Sequence, residues 1–329
     1  MNIGLIAVNN CMVSGIYGVL DIFYTANFCI EKKYGKNSKH HFNCNIYTID
    51  DRPVKGFNGI EIKPTASIKT NDALDILIIS ASAEIVVECC QESTEIEHQG
   101  AIINWLTYYH QLGTVVASYC TGAFLLATSG LLTGKLATTH WRNADMFRRL
   151  YPNIKLTSDE LIVDNGDTIC SGGSISYIDL SLYLINKYIG KDISAECAKL
   201  LVFDPIREKQ SPYVSFEKQK DHHDQAILKA QEYIESHYQQ DISIEALAER
   251  VGLGSRTFKR RFKQATSENP LTYLQRIRVE QAKLKLENST ESINKIIWSV
   301  GYEDISSFRQ LFKRFTGLTP KDYRQKFAV

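Results

Sequence analysis

Two short runs near the C-terminus carry side chains suited to chemistry on a polyanion. In the first, Arg256, Lys259, Arg260 and Lys263 interleave with Phe258 and Phe262. In the second, Ser306, Arg309, Gln310 and Lys313 interleave with Phe308 and Phe312. Phenylalanines four apart share one side of a helix, so the basic and polar residues project elsewhere. Arg bonds guanine and Gln bonds adenine through paired hydrogen bonds, each good pair giving ~1–3 kcal/mol of base discrimination. Lys more often holds phosphate and sets register. A third reactive candidate is Cys120, within Ser118-Tyr-Cys120-Thr-Gly122. Small residues two before and two after it suit a sharp strand-to-helix turn that presents a nucleophile. The following helix N-terminus would favour the thiolate and offer N–H groups to an anion.

The elements that must hold these residues follow from periodicity. Leu247 to Lys263 and Ile296 to Lys313 each read as a short helix, a glycine turn at Gly252 or Gly301, and a second helix. Glycine tolerates the positive φ such a turn needs. Helices are expected at 225–238, 243–251, 255–265, 270–287, 292–299, 305–315 and 320–327, with Ser243 and Ser292 as N-caps and Thr319-Pro320 opening the last. The helix 270–287 would hold two readers about one DNA turn, ~34 Å, apart. A helical bundle with a solvated basic face would explain one such run, but not the same reader geometry twice.

Upstream, apolar runs at 2–8 and 74–79 suit strands buried on both faces, with further strands at 42–49 and 114–120. Helices are expected from Gly15 to Ile30, with Ile16, Val19, Leu20, Phe23 and Phe28 at helical spacing, and at 96–112, 122–132 and 174–188. Asn165-Gly166 signals a hairpin between 161–163 and 168–171. Strands alternating with helices predict a flavodoxin-like, mostly parallel α/β sheet. The pattern stops between Pro205 and Asp224. The expected organisation is therefore an α/β domain over 1–204, a linker over 205–224, and an all-α domain with two helix-turn-helix motifs over 225–329.

Charge divides the same way. From His222 onward 18 Lys and Arg face 13 Asp and Glu, whereas the first 221 residues carry 20 against 24. The C-terminal part is the one suited to nucleic acid. The eight cysteines lie in the first 200 residues and form no C-x-x-C pair, which fits free thiols in a reducing cytoplasm. The start reads as a strand without a basic leader region, and no apolar run is expected to span a membrane. His222-His223-Asp224 reads as linker charge, so no metal site is expected, and no cofactor.

The spaced residues Leu247-Ala-x-x-Val-Gly252, Pro270-x-x-Tyr273, Ile293-x-x-Ile296-x-x-x-Val300-Gly301-Tyr302 and Ser307-Phe308 through Phe315-x-Gly317-x-Thr319-Pro320 resemble the AraC/XylS family of transcriptional regulators. Cys120-Thr-Gly-Ala-Phe-Leu-Leu-Ala-x-x-Gly130 through His140-Trp141, with Ser171-Gly-Gly-Ser174, resembles the PfpI-like, class I glutamine-amidotransferase-like domain of GlxA-type regulators. That resemblance implies a sensor or dimerisation domain with a pocket at Cys120, Thr121, Gly122 and His140. The expected partners are promoter or operator DNA, an unknown small-molecule effector, a second copy of the chain and RNA polymerase. Working enzymes of the superfamily use a His base and often an acid near the first strand. The loop Asn9 to Gly15 has no acid, and His140 reads as a structural residue, so no catalytic set is expected. Two other readings stay open: a thiol sensor for oxidants or electrophiles through Cys120, and a Cys-dependent amidase or hydrolase.

Overall fold

The computed structural model describes every residue except 71, 83, 87–95, 206, 208 and 329, and only the backbone of 96–99. Cys89 and Cys90 therefore lie outside the described residues. The chain divides into two compact units, Met1–Gln210 and Ser211–Val329.

In the first unit a six-stranded sheet has the order β2-β1-β5-β6-β10-β9. Its strands are β1 (Asn2–Ile6), β2 (Asn43–Tyr47), β5 (Ile76–Ile79), β6 (Val115–Tyr119), β9 (Ile162–Asp164) and β10 (Thr168–Ser171). The numbering leaves room for the short pairs β3–β4 (54–55 with 61–62) and β7–β8 (136–137 with 155–156). Every pairing within the sheet is parallel except β9 with β10, whose hairpin turns at Gly166 with φ of 92°. Alternation explains the apolar runs. Ile3, Leu5, Ile76 and Ile78 enter one core, under α1 (Val13–Tyr34). Ile6, Leu77 and Ile79 enter the other, under α2 (Ile96–Gln111) and α3 (Gly122–Thr128). Both faces are covered, so neither phase of the alternation is polar.

Further helices complete the unit: α4 (Ala144–Leu150), α5 (Tyr177–Tyr188) and α6 (Lys191–Leu200), the first and last of which the sequence patterning did not single out. Two expectations need correction. Phe28 does not face the core but is 56% exposed, because α1 buries the stripe through Ile16, Val19, Phe23 and Ile30. Also, α1 is long and apolar enough by composition to cross a membrane. Eight of its residues are buried within this unit, the pattern of a core helix.

The second unit is helical: α7 (Gln225–His237), α8 (Ile244–Arg250), α9 (Ser255–Thr266), α10 (Pro270–Asn288), α11 (Ile293–Ser299), α12 (Ile305–Thr316) and α13 (Pro320–Phe327). Ser243, Ser292 and Thr319 each accept a backbone N–H at their helix starts. The unit has two cores. Phe258, Phe262, Leu247 and Ile234 fill one, and Phe308, Phe312, Ile296 and Tyr323 fill the other. The central helix α10 serves both, with Tyr273, Leu274 and Ile277 in the first and Val279, Ala282 and Leu286 in the second.

The segment read as a linker is shared between the units. Gln210 is buried in the first, donating to Thr139 O, Ser158 O and Glu160 O. Residues 211–224 form a strap on the second. Tyr213 packs on Phe327, the Val214 carbonyl accepts from the buried Lys283, and Phe216 packs on Tyr273. Lys218 and Lys220 both reach Glu235, at 2.9 and 3.0 Å. His222 bonds Gln231, while Asp224 caps α7 and takes two hydrogen bonds from Arg261. His222 Nε2 and the Asp224 carboxylate thus have partners within this unit.

Candidate functional site: two recognition helices and a buried elbow

The two candidate reader helices are built alike. In α9 the side chains of Phe258 and Phe262 are fully buried, while Arg256, Lys259, Arg260 and Lys263 are exposed. In α12 Phe308 and Phe312 are fully buried, while Ser306, Arg309, Gln310 and Lys313 are exposed. Each exposed set follows i, i+3, i+4, i+7, so it forms one stripe along its helix. Shifting the first set by 50 residues lands on the second, position for position.

The turns before these helices are fixed by glycine. Gly252 and Gly301 have φ of 70° and 86°. At Gly301 a side chain is excluded for a second reason, because a Cβ there would stand 2.6 Å from the Gln239 carbonyl. Arg278, on α10, ties this corner together. It donates to Tyr238 O at 2.7 Å and Gln240 O at 2.8 Å, and its guanidinium lies over the Tyr302 ring. Two of these exposed residues have partners that the sequence did not reveal. Lys259 Nζ bonds Glu245 Oε1 at 3.0 Å, and Arg309 Nη2 donates to Asn294 Oδ1 at 3.3 Å.

In the first unit Cys120 sits at the carboxyl end of β6 with φ of 55°, a left-handed conformation that a β-carbon makes costly. Its surroundings hold it there. The Cys120 N–H donates to Ser171 O at 2.7 Å, and its carbonyl accepts from Thr139 Oγ1 at 2.9 Å. Thr121 Oγ1 accepts from Ser82 N–H and donates to Ser82 O. Gly122 is required by close approach, since a Cβ would lie 2.8 Å from the Ile79 carbonyl. The elbow geometry read from the sequence is present.

Its expected chemistry is not. Cys120 is 6% exposed, and burial pushes its thiol up to about 11. The Thr121 backbone N–H and the Ser174 and Thr121 side chains pull the other way, but less than desolvation. The helix start thus pulls toward the thiolate, but burial outweighs it. At pH 7 the protonated thiol is the favoured form. Of the other expected pocket residues, Thr121 and Gly122 are buried and His140 is half-buried. His140 Nδ1 accepts the Arg142 backbone N–H, so that nitrogen caps its own turn.

Comparison with known proteins matches these two parts separately. A helix-turn-helix domain model matches residues 247–326, and the DJ-1/PfpI family model matches residues 36–187. The chain is 24% identical to the HTH-type transcriptional regulator GbdR of Pseudomonas aeruginosa over 84% of this chain and 73% of that protein. It is 25% identical to the HTH-type transcriptional regulator GlxA of Rhizobium meliloti, over 66% of this chain and 67% of that one. The chain joins a DJ-1/PfpI domain to a helix-turn-helix domain, the make-up of a transcriptional regulator. One similarity points elsewhere: an isonitrile hydratase of Pseudomonas putida, 30% identical over 43% of this chain and 57% of the hydratase. The similarities to GbdR and GlxA extend over both units.

Proposed function

We propose that this regulator reads promoter or operator DNA with α9 and α12, each lying in a major groove. Arg256, Lys259, Arg260, Ser306, Arg309 and Gln310 face base edges or the adjacent backbone, while Lys263 and Lys313 hold phosphates. The observation that carries this reading is the repeated exposed stripe backed by paired buried phenylalanines. A basic surface alone would give binding without sequence preference. The first unit supplies the input: it senses a small molecule, pairs two copies of the chain, or does both. RNA polymerase is the further partner, and the cytoplasm the compartment.

The same unit is not an enzyme in this reading. The hydratase similarity favours the opposite, but burial raises the Cys120 thiol well above its ordinary range, and the Asn9–Gly15 loop has no acid of its own, the Glu84 carboxylate accepting from Asn10. A covalent adduct on Cys120 with nitrile, isonitrile, amide or ester probes at neutral pH, lost in Cys120→Ala, would restore the enzyme.

The central test uses the full chain at ~150 mM salt. Its own upstream promoter region should bind at least ~10³-fold tighter than random duplex. Arg256→Ala and Arg309→Ala should relax base preference at different positions, and Lys263→Ala should weaken all sequences alike. Equal binding to both duplexes would remove the function.

A further inference from the structure

The two recognition helices are held by equivalent partners that differ in charge. Gly252 and Gly301 are 49 residues apart, as are Glu245 and Asn294 on the preceding helices. Phe258 and Phe308 are 50 apart, as are Lys259 and Arg309, the one extra residue falling in the second turn. The contact that joins helix to helix is thus the same contact made twice. In the first copy it is an ion pair, Lys259 with Glu245 at 3.0 Å. In the second it is a cation on a neutral amide, Arg309 with Asn294 at 3.3 Å.

We infer that Glu245 and Asn294 are positioning residues that make the two copies unequal DNA readers. This rests on the proposal that α9 and α12 bind DNA. Asn294 occupies one donor of a guanidinium that has five, and it leaves the full positive charge. Arg309 is aimed yet stays available for two hydrogen bonds to one base. Glu245 cancels the charge of Lys259 and places a carboxylate near the same surface. Both side chains are over half exposed, at 52% for Lys259 and 62% for Glu245, so the pair is weak and salt-screened. It is nevertheless of the wrong sign toward phosphate. The first copy is held back and the second is poised, and sequence preference is concentrated under α12.

Exchanging the two partners' charge tests this in the full chain. Fluorescence anisotropy on the preferred and a random duplex, between ~50 and ~200 mM salt, gives affinity, preference and salt slope together. Glu245→Gln should tighten binding to both duplexes by ~2- to 5-fold, the span that exposed charge pairs allow. It should steepen the salt slope by up to ~0.9, one released phosphate counterion. Asn294→Asp should weaken binding by a similar factor and lower the preference for the promoter sequence. Asn294→Ala should keep most of the affinity while relaxing preference at the position Arg309 reads. Unchanged melting temperatures establish that the fold is intact. An unchanged affinity for Glu245→Gln, or an unaltered preference for both Asn294 variants, overturns the inference while leaving the DNA-reading function standing. A parent chain with no sequence preference overturns the function, and this inference with it.

Discussion

Cys120 and Arg309 stand at opposite extremes of what makes a side chain useful. Cys120 occupies a strained backbone position, is held through its backbone by Ser171 and Thr139, and is sealed from solvent at 6% exposure. Arg309 lies on an unstrained helix, is exposed, and has one hydrogen bond to a neutral neighbour. The first has the backbone of an enzyme site and the protonation state of a core residue. The second has ordinary backbone and a charge ready for use. Local shape and local chemistry can therefore separate, and burial is what separates them. Desolvation outweighs every hydrogen bond the elbow offers Cys120, while the phenylalanines behind Arg309 bury their own apolar area and leave the charge in water.

Three changes would break or sharpen this contrast. The largest effect is expected on the reader side. Phe312, on α12, is fully buried and packs on Tyr323 of α13. Phe312→Ala should destabilise the second copy by ~3–5 kcal/mol through lost burial and the cavity left behind. Melting followed beside DNA titration should show both falling, and intact affinity would mean that the second copy does not read DNA. A smaller loss is expected at the elbow. Gly122→Ala forces a methyl against the Ile79 and Ser80 carbonyls and should cost ~1–3 kcal/mol in the first unit. Isolated melting of that unit with a normal C-terminal transition would support the assignment, and an unshifted melt would show that the elbow is looser than its contacts imply.

The smallest effect is the rate of Cys120 alkylation. A thiol raised to about 11 is ionised only as pH approaches that value, so reactivity should climb about tenfold per pH unit from pH 7 upward. Peptide mapping after iodoacetamide treatment would follow Cys120 apart from the other cysteines. A plateau below pH 8 would identify a low-pKa thiol and reopen the sensor reading.

The sequence disclosed those features whose cause is local. The helices of the second unit fall within two residues of their expected limits because Ser243, Ser292 and Thr319 cap them through their own first turns. The sheet was legible in the runs at 2–8 and 74–79 because strands buried on both faces leave no polar phase. The elbow backbone was legible in Ser118 and Gly122. What escaped depends on partners distant in sequence. Phe28 has helical spacing with Phe23, yet only the packed neighbours decide that α1 turns it outward. Glu245 and Asn294 are ordinary polar helix residues until α9 and α12 fold back on them. Cys120 itself was located correctly, but its ionisation follows from the burial around it, which no spacing reports.

The strap over residues 211–224 has a practical meaning. Its ring contacts, its ion pairs with Glu235 and its bond to Lys283 all lie within the second unit. A fragment that keeps these contacts must begin at Ser211, because one begun at α7 would leave Tyr273 and Phe327 without the rings that cover them.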